Sequence, residues 1–116
     1  MKIRAALVQT AWTGDKDSMI QTHLRYIAEA AKGGAKVMCL QELFYGPYFS
    51  QVQDTKYYGY TERIPDGPTT KLMQETAKKH GIVLIVPMYE EDAPGIYYNT
   101  AAGFAISLFI NAIIRR

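Results

Sequence analysis

A thiol and a carboxylate three positions apart are the first residues in this chain whose types could do chemistry. Cys39, the chain's only cysteine, lies in the apolar run VMCLQ, and Glu42 follows that run just before an aromatic Gly-Pro loop. A thiolate is a nucleophile and a nearby carboxylate can act as its base, so the pair suggests nucleophilic catalysis. The plain alternatives are a cysteine packed in the core and a solvated loop carboxylate.

Glu42 stands at the carboxyl end of a strand that we predict over residues 36–41. In open α/β sheets, ligands collect at the carboxyl ends of the strands. Apolar and aromatic neighbours would desolvate the carboxylate, which suits a general base working near neutral pH. Spacing alone leaves both alternatives open, a general base and a solvated carboxylate.

Cys39 is a poor candidate for the nucleophile. Side chains alternate across a strand, so Cys39 and Glu42 are expected to point to opposite faces of the sheet. With Val37, Met38 and Leu40 around it, a buried thiol behaves as a small hydrophobic residue whose pKa is not lowered. We therefore interpret Cys39 as a core residue and not as the partner of Glu42.

The two histidines do not predict a metal site. His23 lies within a predicted helix and His80 at the end of another, and neither has a cysteine or second histidine at ligand spacing. No glycine-rich phosphate loop is present, because Gly33-Gly34 follows a helix and does not open one. We therefore expect neither a metal ion nor a cofactor.

Hydrophobic periodicity and turn residues predict the elements that must position these residues. They are a strand over 3–9, a helix over 16–32 with Asp15 or Asp17 as its cap, a strand over 36–41, a helix from Pro68 to Gly81, and strands over 82–88 and 96–102. The near-continuous apolarity of the strand over 36–41 predicts burial on both of its faces, and an acidic turn over 90–95 joins the last two strands. The order β-α-β-loop-α-β-β predicts a layered α/β fold.

The segment 42–66 is a long connection with many aromatic residues, among them Tyr45, Tyr48, Tyr57 and Tyr58. Loops of this length are usually functional or disordered, and the aromatic content argues against disorder. The tyrosines could stack nucleic-acid bases, but Lys56 is the only basic residue between Tyr45 and Tyr60, so we interpret them as packing of the loop.

The composition predicts one small globular domain. The chain has 116 residues, 48% of them hydrophobic, and a net charge of +2, too low to predict nucleic-acid binding. A single cysteine fits a reducing compartment, and the N-terminus MKIRAALVQT lacks the layout of a signal peptide. We therefore expect the protein in the cytoplasm.

Four segments together resemble a known family. They are RAALVQT, VMCLQELFYGPYF, VQDTKYYGYTERIPDGPTTKLMQETAKKHGIVLIVPMYE and IYYNTAA. In this order they are similar to the nitrilase (carbon-nitrogen hydrolase) superfamily, in particular its N-carbamoylputrescine amidase and β-ureidopropionase branch. The resemblance runs from about Ile3 to Ala102, which is most of the chain.

This resemblance implies an α-β-β-α sandwich, of which the chain would form roughly the first half, and a glutamate-lysine-cysteine triad. In that triad the cysteine attacks the carbon of a C–N bond, the lysine stabilises the oxyanion, and the glutamate is the base. Glu42 matches the glutamate, Tyr48 and Phe49 fall in the loop beside the substrate, and Cys39 does not match the nucleophile. The implied partners are a small N-carbamoyl or amide substrate and further copies in a homo-oligomer.

The resemblance stops after Ala102. Residues 103–116 read GFAISLFINAIIRR where the family carries its catalytic lysine, and the rigid fork of Arg115 or Arg116 is no replacement for that ammonium. This apolar tail is shorter than the roughly 20 residues of a membrane span, so we expect no membrane contact through it. Its periodicity fits a strand or a helix.

We therefore expect a hydrolase portion over 1–102, a divergent tail over 103–116, and an incomplete or frame-disrupted reading of a carbon-nitrogen hydrolase gene. Such a chain would be inactive alone because only the glutamate of the triad is present. The alternative is a non-catalytic protein that associates with itself or with an intact homologue.

Overall fold

The computed structural model describes residues 1–105 and the backbone of residues 113–115. In this part of the chain the strands are β1 (Ala5–Leu7), β2 (Val37–Cys39), β3 (Val83–Ala93), β4 (Ile96–Phe104) and β5 (Ile113–Arg115). The α-helices are α1 (Lys16–Lys32) and α2 (Pro68–His80), and two 3₁₀ turns, Phe49–Gln51 and Thr55–Tyr60, lie in the long connection.

The strands form one mixed sheet in the order β1-β2-β3-β4-β5. Ala6 pairs with Met38 and Met38 with Leu84 in two parallel ladders, while β4 returns antiparallel to β3 and β5 antiparallel to β4. Crossovers between parallel strands are right-handed, so α1 and α2 lie side by side on one face of the sheet. The predicted α/β class is confirmed, as one helix layer on one sheet.

The helix predicted over Lys16–Lys32 is confirmed at both ends. Asp15 is its N-cap, and Asp15 Oδ2 accepts a hydrogen bond of 2.8 Å from the backbone N–H of Ser18. Gly34 adopts φ 87°, a left-handed conformation that favours glycine, and the chain turns there towards β2.

The second predicted helix is also confirmed. Pro68 occupies its first turn, where a missing N–H costs nothing, and Gly81 ends it with φ 62°. Gly67 caps the helix in a crowded position, since a Cβ there would lie 2.4 Å from the carbonyl oxygen of Arg63. Only glycine fits this entry into α2 without a shift of the backbone.

The prediction that the strand over 36–41 is buried on both faces is wrong, because Val37 and Cys39 of β2 are only half-buried on the side away from the helices. Met38, Leu84 and Val86 are buried beneath the helices, whereas Leu7 is 85% and Ile85 38% exposed on the opposite side. We call this second side of the sheet the open face. Apolar runs indicate that both faces are suited to burial, but the described chain supplies a helix layer for only one of them.

The predicted acidic turn is a continuation of the strands instead. β3 extends to Ala93, and the turn is confined to Pro94-Gly95, where Gly95 has φ 82°. Glu90 is fully buried on the helix side, and its Oε2 accepts a 2.6 Å hydrogen bond from the hydroxyl of Thr100. A hydrogen-bonded partner inside the fold lets this carboxylate occupy a core position.

The predicted tail lies partly outside the described residues, which leave out 106–112 and 116. Where the tail is described, residues 113–115 form β5, with Ala102 paired to Ile113 and Thr100 to Arg115. Of the strand and helix alternatives, the strand is therefore found at these three positions. No helix in the described part of the chain is long and apolar enough to cross a bilayer.

Candidate active site

Glu42 projects from the carboxyl edge of the parallel strands. Two backbone hydrogen bonds to β3 hold the chain on either side of it, from Leu40 N to Ile85 O at 2.9 Å and from Phe44 N to Pro87 O at 3.4 Å. Between them Leu43 takes the left-handed φ of 50°, which turns the chain sharply. Glu42 is therefore exposed at a turn with anchored ends, and the desolvation expected from aromatic neighbours is not supplied by the described residues.

Asn99 holds the Glu42 side chain. Its Nδ2 donates a hydrogen bond of 2.6 Å to Glu42 Oε1, while no described residue donates to Oε2. Asn99 lies on β4 directly opposite Tyr89 of β3, so the sheet register determines where its amide points. The sequence prediction missed Asn99, although a polar residue at an open-face position of an apolar strand was the available signal.

Glu42 borders an open cavity of about 650 Å³ at the ends of β1 and β2, together with Leu7, Thr10, Cys39 and Gln41. Thr10 N donates a 2.7 Å hydrogen bond to the side-chain oxygen of Gln41, which ties the two loops together. The prediction that Cys39 and Glu42 occupy opposite faces is wrong. The strand ends at Cys39, so strand alternation does not extend to Glu42, whose side chain borders the same cavity as Cys39.

Cys39 nevertheless has the properties of a structural thiol. Its Sγ lies 3.4 Å from the carbonyl oxygen of Leu40, to which it donates, and burial raises the pKa of the thiol. A raised pKa keeps the sulfur protonated and poorly nucleophilic at neutral pH. The predicted absence of pKa lowering is confirmed, but Cys39 is half-buried on the open face and is not a core residue.

Of the two predicted substrate-loop residues, Phe49 lies against the strand neighbour of Asn99. Its ring centroid is 4.6 Å from that of Tyr89 and 5.2 Å from that of Tyr57. Tyr48 is 53% exposed and makes no ring contact with a described residue. The structure thus brings Phe49, but not Tyr48, into contact with the strand that faces Glu42, and the role of both in substrate binding stays a prediction.

An aromatic cluster, formed by Phe49, Tyr57, Tyr58, Tyr89 and Tyr97, covers the β3–β4 hairpin next to Asn99. Tyr58 stacks on Tyr97 with centroids 4.5 Å apart, and Tyr89 lies 5.9 Å from Tyr97. Burial, followed by the neighbouring hydroxyls of Tyr58 and Tyr97, raises the pKa of Tyr89. Tyr89 pairs with Asn99 in the sheet, so the aromatic cluster lies next to the residue that holds Glu42.

A buried polar group secures the loop that carries these rings. Glu62 Oε2 accepts hydrogen bonds from Lys16 Nζ at 2.8 Å and from the Thr69 hydroxyl, and Oε1 accepts one from Thr69 N at 2.8 Å. Lys16 Nζ also lies 4.4 Å above the ring of Tyr45, whose hydroxyl donates to the Tyr60 carbonyl at 2.7 Å. Burial, and then the Glu62 carboxylate, raises the pKa of Tyr45.

The histidines lie away from this edge. His23 is fully buried in α1, where Nδ1 is 2.8 Å from the carbonyl oxygen of Met19 and accordingly donates to it. Burial lowers the pKa of His23, so the ring is neutral and packs edge-on against Phe44 at 5.0 Å. Residues 1–105 bring together no three His, Cys, Asp or Glu side chains that could hold a metal ion.

The chain is similar to known proteins in both sequence and structure. The sequence profile of the carbon-nitrogen hydrolase family matches residues 4–107. An N-carbamoylputrescine amidase of Solanum lycopersicum is 35% identical over 86% of this chain and 33% of its own length. An omega-amidase of Xenopus laevis is 38% identical over 89% of this chain and 36% of its own length.

Among solved structures, a carbon-nitrogen hydrolase from Helicobacter pylori G27 superposes with a TM-score of 0.88 at 27% identity, covering 98% of this chain and 39% of that one. An amidase from a Nesterenkonia species superposes with a TM-score of 0.75 at 19% identity, a likeness of fold. The chain thus spans about a third of the length of the curated relatives that it matches.

Proposed function

Because the chain belongs to the carbon-nitrogen hydrolase family, we propose that Glu42 is the general base of a site that hydrolyses non-peptide C–N bonds of amides or N-carbamoyl amines. The observation that carries this proposal is the geometry of Glu42. One carboxylate oxygen is held by Asn99 at 2.6 Å, the other accepts no hydrogen bond from a described residue, and the side chain borders an open cavity. A base needs an accessible oxygen in a defined orientation, and this arrangement provides one.

In this proposal Glu42 accepts the proton of a cysteine thiol as sulfur attacks the carbonyl carbon. The C–N bond then breaks, the amine or ammonia leaves with a proton returned by the glutamic acid, and water attacks the thioester with Glu42 again as base. Phe49 and Tyr48 would contact the substrate beside this carbon. Cys39 is unsuited to the attack because burial raises its pKa.

We further propose that residues 1–116 do not hydrolyse these substrates alone. The resemblance implies a lysine and a cysteine in addition to Glu42, and the chain matches only about a third of its curated relatives. On this proposal, residues 1–102 belong to the hydrolase domain and 103–116 are a divergent tail, although the family profile extends five residues further, to 107. Polypeptide beyond these residues would supply the oxyanion donor and the nucleophile.

Two assays test the proposal. The purified chain, incubated with N-carbamoylputrescine, N-carbamoyl-β-alanine or a simple amide, should release no ammonia. Mixed with a separately produced segment of the Helicobacter pylori enzyme that the superposition leaves uncovered, it should restore hydrolysis. Glu42→Gln should then lower kcat by about 10²–10⁴-fold. Hydrolysis that is restored equally well by Glu42→Gln would remove Glu42 from the role of base.

A second candidate function is association through the open face. Leu7 and Ile85 are exposed apolar side chains on a sheet that has helices on its other side, and exposed apolar patches mark association sites. The partner would be another copy or an intact homologue. If this function holds, Leu7→Lys and Ile85→Lys should shift sedimentation from an oligomer to a monomer, while Lys71→Glu on the exposed side of α2 should not.

A further inference from the structure

We propose that the edge of the sheet at which the parallel strands begin is a docking surface for an anionic lipid bilayer, and that it holds the protein with the Glu42 side facing water. The proposal is independent of the role of Glu42 in catalysis. It concerns exposed basic residues that we call the basic edge, namely Lys2, Arg4, Lys32, Lys36, Lys78 and Lys79.

The topology gathers these residues, although they are scattered along the sequence. β1, β2 and β3 are parallel, so they all begin at the same edge, and each helix between them ends there. Lys36 N donates to Arg4 O and Val83 N donates to Lys36 O, both at 2.9 Å, so the three strand starts lie side by side. The last turns of α1 and α2 add Lys32, Lys78 and Lys79.

The formal net charge of +2 conceals a separation of charge between the two edges of the sheet. Three cations near the opposite, carboxyl edge are each paired with a carboxylate: Lys16 at 2.8 Å, Lys56 at 3.0 Å and Arg63 at 3.7 Å. By contrast, no residue of the basic edge forms an ion pair with a described residue. Most of the carboxylates lie near the carboxyl edge, namely Asp15, Asp17, Glu42, Asp54, Glu62, Asp66, Glu90, Glu91 and Asp92.

The ends of the helices account for only part of the basic edge. The lysines in the last helical turns complement the negative ends of the helix dipoles. Arg4 donates through Nη1 to the carbonyl oxygen of Gly33, directly after α1. Lys2 and Lys36, however, lie outside the helices, and their ammonium groups make no hydrogen bond to a described residue. Their charges are therefore available to a partner.

The types of cation favour a diffuse anionic surface over a single bound phosphate. Arg4 is the only arginine of the basic edge, and its guanidinium, which could bind one phosphate bidentately, already donates to Gly33. The remaining cations are lysines, which are point charges on flexible stems. Near an anionic membrane each such charge raises the affinity about five-fold, so several lysines acting together give a stable attachment.

An exposed apolar side chain among the cations favours lipid over nucleic acid. Ile3, between Lys2 and Arg4, is 59% exposed. At a bilayer such a side chain leaves water for the acyl boundary while neighbouring lysines stay with the headgroups. Nucleic acid would gain from rings that stack on bases, but the exposed rings of Trp12, Tyr48 and Tyr58 follow the carboxyl ends of β1 and β2.

The carboxylates determine the orientation of the docked protein. A negative lipid surface attracts the basic edge and repels the carboxyl edge, so the charge separation turns the protein with Glu42 away from the bilayer. The cavity that Glu42 borders then stays open to dissolved substrates. Docking through the basic edge is thus compatible with the proposed hydrolysis.

The experiment is co-sedimentation of the whole chain with sucrose-loaded vesicles of phosphatidylcholine, with or without about 30% phosphatidylserine. We expect binding to the anionic vesicles to be at least about ten-fold tighter than to the neutral ones. A rise in NaCl from about 0.1 M to about 0.5 M should release the chain, since salt screens exposed charges. Samples without vesicles correct for sedimentation by self-association.

Matched pairs of lysine variants locate the surface. Lys36→Gln with Lys79→Gln should weaken binding to the anionic vesicles by about twenty-five-fold, at about five-fold per lysine. Lys56→Gln with Lys71→Gln changes the net charge equally, but away from the basic edge, and should leave binding within about two-fold of the original. Ile3→Ser should weaken vesicle binding by about four-fold, as expected for one methylene group that stays in water.

The chain's only tryptophan reports the orientation, because Trp12 follows the carboxyl end of β1. Its fluorescence should stay unchanged when the chain binds anionic vesicles. Equal binding to both kinds of vesicle, no binding to the anionic ones, equal losses in the two lysine pairs, or full binding by Ile3→Ser would each overturn the proposal. So would a lipid-induced shift of the Trp12 emission, or tighter binding to a short duplex RNA than to the anionic vesicles.

Discussion

The carboxylate of Glu42 accepts a 2.6 Å hydrogen bond from the side-chain amide of Asn99, a residue 57 positions further along the chain. The contact joins the turn after β2 to the second strand of the β3–β4 hairpin, across the intervening strand β3. It therefore depends on two ladders at once, the parallel one of β2 with β3 and the antiparallel one of β3 with β4. The orientation of the proposed base is thus a property of the sheet and not of its own loop alone.

Removal of this hydrogen bond should impair catalysis more than binding. In the complementation assay, Asn99→Ala should lower kcat by about ten-fold with little change in KM, because a hydrogen bond to a charged group contributes about 1.5–3 kcal/mol and an exposed one less. Steady-state ammonia release measures both constants. Glu75→Gln, on the exposed side of α2, serves as the control. An Asn99→Ala enzyme with normal kcat would show that Glu42 does not depend on this hydrogen bond.

The Lys16–Glu62 pair should contribute to stability because Glu62 is buried. Glu62→Gln leaves Lys16 without its counter-ion and should lower the free energy of unfolding by about 1–3 kcal/mol. Urea denaturation followed by circular dichroism gives this difference. The exposed Lys56–Asp54 pair is the matched control, and Lys56→Met should not move the urea midpoint. If both substitutions lowered the free energy of unfolding equally, burial of Glu62 would not be the reason for the stabilising effect of its ion pair.

His23 should make the fold sensitive to mild acid. Its folded pKa is lowered by burial, so between that value and the ordinary value of 6.5 the unfolded chain binds more protons than the folded one. Stability should therefore fall as pH drops through 6.5, with a slope of at most about 1.4 kcal/mol per pH unit from this group. Urea midpoints at a series of pH values measure the slope.

The matched pair of histidine variants assigns that slope. His23→Gln should reduce it even if the variant is less stable at every pH, whereas His80→Gln at the end of α2 should leave the contribution of His23 in place. A slope that persists unchanged in His23→Gln would show that other groups cause the acid sensitivity.

Cys39 should react slowly with alkylating agents. Because burial raises its pKa, the folded chain at pH 8 should be alkylated by iodoacetamide at least about ten-fold more slowly than the chain in urea. Mass spectrometry of quenched samples follows the reaction. Faster alkylation in the folded chain than in urea would show that Cys39 is an activated thiolate. Cys39 would then again be a candidate for the nucleophile.

The two helices could be predicted closely from the sequence because their limits depend on local chemistry. The Asp15 cap, the Pro68 start and the Gly81 stop each act within one turn of the chain. Pro68 and Gly81 are found as predicted, and Asp15 is one of the two predicted cap candidates. The acidic turn failed for the opposite reason. Whether Glu90 lies in a turn or in a core depends on Thr100, which reaches it only through the antiparallel register.

The residues of the candidate site also fall into two groups, those that can be predicted from local sequence and those that depend on pairing across the sheet. Glu42 could be predicted as a site residue from its position after an apolar strand and from the family resemblance. Asn99 could not, because it reaches Glu42 only through the pairing of strands across the sheet. The alternation argument for Cys39 and Glu42 failed because it extended β2 two residues too far. The left-handed φ of Leu43, which turns the chain directly after Glu42, has no signature in a leucine side chain.

The long separation between Glu42 and Asn99 also bears on the order of events during synthesis. At about 5–20 residues per second, Asn99 leaves the peptidyl transferase centre roughly 3–11 s after Glu42. During that interval β1, α1 and β2 can already associate, because their contacts involve only earlier residues. The nascent chain thus acquires part of its scaffold first, and the glutamate obtains its amide partner only when the β3–β4 hairpin has emerged from the ribosome.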